Sequence, residues 1–215
     1  MGYYSLATLE ILLVIVSPLL FLYLRGKWPL GTVIPSLLIM PILWYLTYSV
    51  LHELSHIAGT YLVGGTVTDF KLIPRFWKGE FGRAWITSIG ITQPWLQLPT
   101  SGCPYVLDII CVLAGVILLR RHFSEKAFVV GLVFMLLVLR PAFDFVCEPI
   151  AFLTGDKGDF YTINQIAGAA VTWVFILLSL SLCIFAVLTI LRRFVVPKQT
   201  ASPAISAEGH NNKKH

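Results

Sequence analysis

Two histidines and a glutamate interrupt an apolar run at residues 48–65, YSVLHELSHIAGTYLVGG. His52 and His56 are four residues apart, so a helix sets both imidazoles on one face, where they can share a metal ion. Glu53 follows the first histidine and leans toward a water held on that side. This is the chemistry of His-Glu-x-x-His: two imidazoles hold zinc, the glutamate takes a proton from water, and a third ligand comes from elsewhere. Zinc lowers the pKa of bound water from about 15.7 to about 7, which makes hydroxide available at neutral pH. A histidine pair hydrogen-bonded inside a bundle would give the same spacing. That reading leaves Glu53 needing its own partner, and ionisable groups in an apolar segment are expensive to bury.

A catalytic zinc site of three protein ligands keeps one position open, so one more donor is required. Asp144, in VLRPAFDFVCEP, is the expected third ligand, with Glu148 and Asp108 as substitutes. Arg140, Asp144 and Glu148 are also spaced i, i+4, i+8, so an intrahelical charge ladder with Asp144 balancing Arg140 competes with that role. Asp156 and Asp159, in TGDKGDF, read as solvated loop residues. His122, beside Arg120 and Arg121, reads as an interfacial residue.

The elements that must position these groups are apolar. Of 215 residues, 57% are hydrophobic and 13% charged, and the mean hydropathy is +0.80, a composition that points to a membrane protein. Apolar segments at about 5–24, 30–63, 105–119, 127–152 and 166–191 predict an all-α polytopic membrane protein of about five transmembrane helices. Residues 1–195 form a single membrane domain and 196–215 a disordered polar tail. Glu10 interrupts the first segment and no cleavage site follows it, so that segment reads as a retained span. Pro35 and Pro41 are expected to bend the second. Between the second and third spans, TVTDFKLIPRFWKGEFGRAWITSIG predicts a small membrane-associated β-hairpin, 66–73 paired with 81–89 around Lys78-Gly79. Pro94, Pro99 and Pro104 predict an irregular connector over 91–104.

With alternating span directions, His52, Glu53 and His56 fall late in the second span, Asp144 and Glu148 late in the fourth, and Asp108 early in the returning third. At 1.5 Å per residue they occupy one layer. The net charge of +5 collects in connections and the tail. The positive-inside rule makes the side holding Arg25, Lys27, Arg120, Arg121, Arg192 and Arg193 cytoplasmic and puts the polar layer nearer the other side. Basic residues so placed are topology signals, and no phosphate loop or basic-aromatic repeat suggests a nucleic-acid partner. Cys103, Cys111, Cys147 and Cys183 contain no Cys-x-x-Cys pair, so neither a disulfide framework nor a thiolate zinc site is expected. The six tryptophans mostly flank spans, as interfacial belts do.

The segment HELSHIAGTYLVGGTVTDFKLIP resembles the site-2 protease family of intramembrane zinc metalloproteases, in particular its compact branch. In that family a His-Glu-x-x-His helix precedes a small residue pair and a membrane-associated hairpin, and an aspartate on a later span completes the zinc site. The likeness extends in layout over about residues 45–165 and is close in sequence over 50–73. It implies one Zn2+ per chain, with His52, His56 and Asp144 as ligands and Glu53 as catalytic base. It also implies hydrolysis of membrane-spanning protein substrates within the lipid bilayer, most simply the cell membrane. The family's aspartate commonly precedes glycine, whereas Asp144 lies in Phe-Asp-Phe. The alternative is a catalytically silent zinc-binding scaffold or partner-binding relative. A di-iron membrane oxidoreductase would need more histidines than His52, His56 and His122 supply.

Overall fold

The computed structural model describes residues 30–74, 84–121, 127–155 and 157–195. The expected first span at 5–24, the Lys78-Gly79 turn, His122, Asp156 and the 196–215 tail lie outside these residues. Helix α1 (Leu30–Leu62) is continuous through Pro41. Its 33 residues extend about 50 Å, well beyond a hydrocarbon core of about 30 Å. Gly64, at φ +79°, ends it: the Gly64 and Gly65 N–H groups bond back to the carbonyls of Tyr61 and Thr60. A side chain would disfavour this left-handed turn.

Strands β1 (Thr66–Lys71) and β2 (Trp85–Ile89) form the antiparallel pair, shorter than the 66–73/81–89 expectation among the described residues. Thr66 faces Ile89 and Lys71 faces Trp85. A bulge at Thr68 breaks the alternation, and Phe70, Trp85 and Ile89 stay exposed.

The expected irregular connector is largely helical. A 3₁₀ turn, Pro94–Leu96, leads directly into helix α2 (Gln97–Arg120). Pro99 falls in the first turn, where N–H groups have no helical acceptor to lose. Pro104 lies inside the helix and leaves the Thr100 carbonyl without its i+4 donor. Helix α3 (Ala127–Phe134) continues through a π-helical turn, Met135–Leu139, into α4 (Arg140–Leu153). The wide turn, with the Arg140 N–H on the Met135 carbonyl, accommodates Pro141 without breaking the rod.

The expected last span divides. Helix α5 (Asp159–Ala167) ends at Gly168, which has φ +86°, and α6 (Ala169–Val195) follows. The segments 94–120, 128–153 and 169–189 are long and apolar enough to cross a membrane.

The outward faces are as apolar as the interior, unlike those of a water-soluble domain. On α2, Val106, Ile110, Leu113 and Ile117 face outward, while Asp108 is fully buried. On α6, Val174, Leu177 and Ile184 face outward, while Thr172 and Ser179 are buried. Tyr105, Val112, Val138, Phe145 and Phe160 form the main apolar core. Trp44 belongs to a second core, stacked on Tyr48 at 5.5 Å and edge-on to Phe143 at 5.9 Å, and is no interfacial tryptophan. Where α1 meets α2, a Cβ on Gly59 would stand 2.6 Å from the Pro99 oxygen. Only glycine permits that approach.

Candidate metal centre

The i, i+4 spacing on α1 brings His52 Nε2 and His56 Nε2 to 3.1 Å of each other. The third atom beside them belongs to Asp159, at the first turn of α5. Its Oδ2 lies 3.4 Å from His52 Nε2 and 3.1 Å from His56 Nε2. A tetrahedral ion with bonds of about 2.0–2.1 Å separates its ligand atoms by roughly 3.3 Å, so the three edges suit zinc.

Hydrogen bonding at the far side of each imidazole aims it. His56 Nδ1 donates to the Thr100 carbonyl at 2.8 Å, the acceptor released by Pro104. His52 Nδ1 lies 3.4 Å from Asp144 Oδ2. A carbonyl or carboxylate oxygen can only accept, so rings that are neutral, as metal ligands must be, carry their protons on Nδ1 and turn Nε2 lone pairs toward Asp159. Two imine nitrogens and a carboxylate oxygen this close repel one another unless a cation lies among them. The donor set therefore fits a divalent metal.

Asp159 was expected in a solvated loop. Its side chain is only 16% exposed, and the Tyr105 hydroxyl donates to its Oδ2 at 3.2 Å. The loop ends at Gly158, and Asp159 begins a helix, where the amide dipoles favour an anion.

The other expected site residues have separate places. Glu53 is buried, directly after His52 on α1. Asp144 meets the Nδ1 edge of His52, and its Oδ2 is also 3.6 Å from Arg140 Nη1. The charge ladder is thus present between Arg140 and Asp144. Asp108 Oδ1 accepts from Arg140 Nη2 at 2.7 Å. Glu148 packs against Gly158, where a Cβ would stand 2.7 Å from its Oε2, a buried oxygen with no hydrogen-bond partner among the described residues. Asp144, Glu148 and Asp108 are absent from the three-atom cluster of His52, His56 and Asp159.

Sequence reading missed Asp159, Tyr105 and Thr100. Glycine followed by an acid and an apolar run is a helix-start signal, which would have located α5. Nothing local marks Asp159 as facing His52. No disulfide joins the four cysteines, and Cys111 Sγ lies 3.7 Å from Arg140 Nη2. No protein-family model, curated protein or solved structure matches the chain.

Proposed function

We propose that this chain is a polytopic membrane zinc metalloprotease that hydrolyses peptide bonds in or near the spanning segments of protein substrates. The observation that carries this reading is the convergence of His52, His56 and Asp159 beside Glu53, in a bundle whose α1, α2 and α6 present apolar side chains outward. The three apolar helices support several crossings, with α1 as a further one.

Zinc held by His52, His56 and Asp159 would supply Lewis acidity, polarising a carbonyl and making water acidic enough to ionise near neutral pH. Glu53 takes the proton from the attacking water as its oxygen bonds to the carbonyl carbon. It then delivers that proton to the amine as the C–N bond breaks. His52 and His56 keep fixed orientations because the Asp144 carboxylate and the Thr100 carbonyl occupy their Nδ1 edges. Among the described residues β1 and β2 pair only with each other, and such strand edges suit an extended substrate segment, whose carbonyls are no longer tied up in its own helix.

The test is cleavage of a panel of single-span protein substrates by the purified chain in proteoliposomes, beside Glu53→Gln. Wild type loaded with zinc should cut at least one substrate. Glu53→Gln should retain one zinc and lose turnover by about 10²–10⁴-fold. Equal cleavage by both forms would remove Glu53 from the chemistry. Stoichiometric zinc with no turnover across the panel would favour the silent scaffold.

A further inference from the structure

We propose that Asp144 is a positioning residue for the metal centre, fixing the His52 ring through Nδ1 while Arg140 and Asp108 hold the carboxylate in place. The inference rests on the metal-centre reading above and assigns Asp144 a role other than ligand.

An imidazole offers its two nitrogens on different edges of the ring. Asp144 Oδ2 is 3.4 Å from His52 Nδ1, while Nε2 of the same ring belongs to the cluster with His56 and Asp159. A carboxylate at the Nδ1 edge accepts the ring proton and leaves Nε2 as the donor to a metal. It also makes that nitrogen a stronger donor by drawing on the N–H.

The carboxylate is held from behind. Arg140 is one turn earlier on α4, with Nη1 at 3.6 Å from Asp144 Oδ2 and Nη2 at 2.7 Å from Asp108 Oδ1 on α2. Arg140, Asp108 and Asp144 are all at most 1% exposed, so neither acid can exchange its partner for water. The contact chain Asp108–Arg140–Asp144–His52 crosses three helices and ends on the ring that needs orienting.

Helix α2 supplies none of the three clustered ligand atoms, yet it reaches each of those side chains. Thr100 accepts from His56, Tyr105 donates to Asp159, and Asp108 acts through Arg140 and Asp144 on His52. Asp144 completes that set; as a ligand it would leave the His52 Nδ1 edge without its oxygen.

Cobalt(II) is the probe, bound to the purified full chain in detergent micelles and read by stoichiometry and by visible absorption, which reports the ligand set. Wild type should take one ion per chain with a four-coordinate spectrum. Asp144→Asn keeps an oxygen at Nδ1, so it should retain the stoichiometry and band positions and bind about 10–100-fold more weakly. Asp159→Ala should change or lose the bands. Loss of the bands in Asp144→Asn, to the extent seen for Asp159→Ala, would make Asp144 a ligand and overturn the inference while the metal centre stood. Wild type that binds neither cobalt nor zinc would overturn the metal centre itself, and this role with it. The wild type also tests the inference without any variant, through long-range ¹H–¹⁵N spectra of the zinc-loaded chain. His52 should be protonated at Nδ1 and metal-bound at Nε2, and the reverse assignment would overturn the proposal.

Discussion

Asp144 and Asp159 both meet His52, one at Nδ1 and the other at Nε2, and their neighbourhoods differ. Asp144 is in the body of α4, flanked by Arg140, which Asp108 also engages. Asp159 is at the start of α5, met by two imidazole nitrogens and a tyrosine hydroxyl. A carboxylate held beside a guanidinium serves best as a fixed acceptor. A carboxylate among neutral nitrogen donors makes a site that lacks a positive charge, which is what a metal supplies. Two acids equally near one histidine are therefore suited to different work, and the arginine makes the difference.

The comparison can be broken most directly at Asp159. Asp159→Ala removes an atom from the cluster, and its metal affinity should fall beyond the roughly 100-fold that marks loss of an outer partner, measured by competition with a chromogenic chelator. A smaller loss than in Asp144→Asn would reverse the two roles.

Arg140→Met tests the other acid's environment. It leaves Asp108 and Asp144 buried without their shared cation and should cost about 3–5 kcal/mol of stability, read by denaturant unfolding in mixed micelles. If stability is unchanged, the buried charges have other compensation and the contrast with Asp159 fails.

Gly59→Ala probes the α1–α2 contact on which the His56–Thr100 bond depends. Its Cβ would lie 2.6 Å from the Pro99 oxygen and 2.8 Å from Thr100 Cα, so the helices must separate. A loss of about 1–3 kcal/mol is expected, with weaker metal binding as the Thr100 carbonyl moves off His56.

Tyr105→Phe should have the smallest effect. It deletes the hydroxyl bonded to Asp159 and keeps the ring, stacked on Phe160 at 4.8 Å. A decrease of about 0.5–1.5 kcal/mol in stability is expected, with the metal stoichiometry kept, measured by the same unfolding and metal analyses.

Much of the scaffold was legible from residue spacing. The apolar segments anticipated α2, α3–α4 and α6, and the β-branched and aromatic texture after Gly65 anticipated β1 and β2. The connector reading failed at Pro94, Pro99 and Pro104, because proline marks a helix boundary only where a needed N–H is lost. Two of these residues open helical turns. The third frees a carbonyl that a histidine from another helix then takes. Asp159 was misread for a related reason: the loop-like texture of GDKGD is local, whereas its burial comes from α1 and α2 packing over it.

The sequence by itself determined that His52 and His56 share a helix face with Glu53 beside the first, since that follows from 3.6 residues per turn. It also determined that the helices carrying them are too apolar for an ordinary water-soluble surface. Only the tertiary structure decided which aspartate faces Nε2, which nitrogen of each ring is free, and that Asp108 shares Arg140 with Asp144. Those outcomes depend on contacts between residues as much as 107 positions apart, from His52 to Asp159, and no local pattern encodes them.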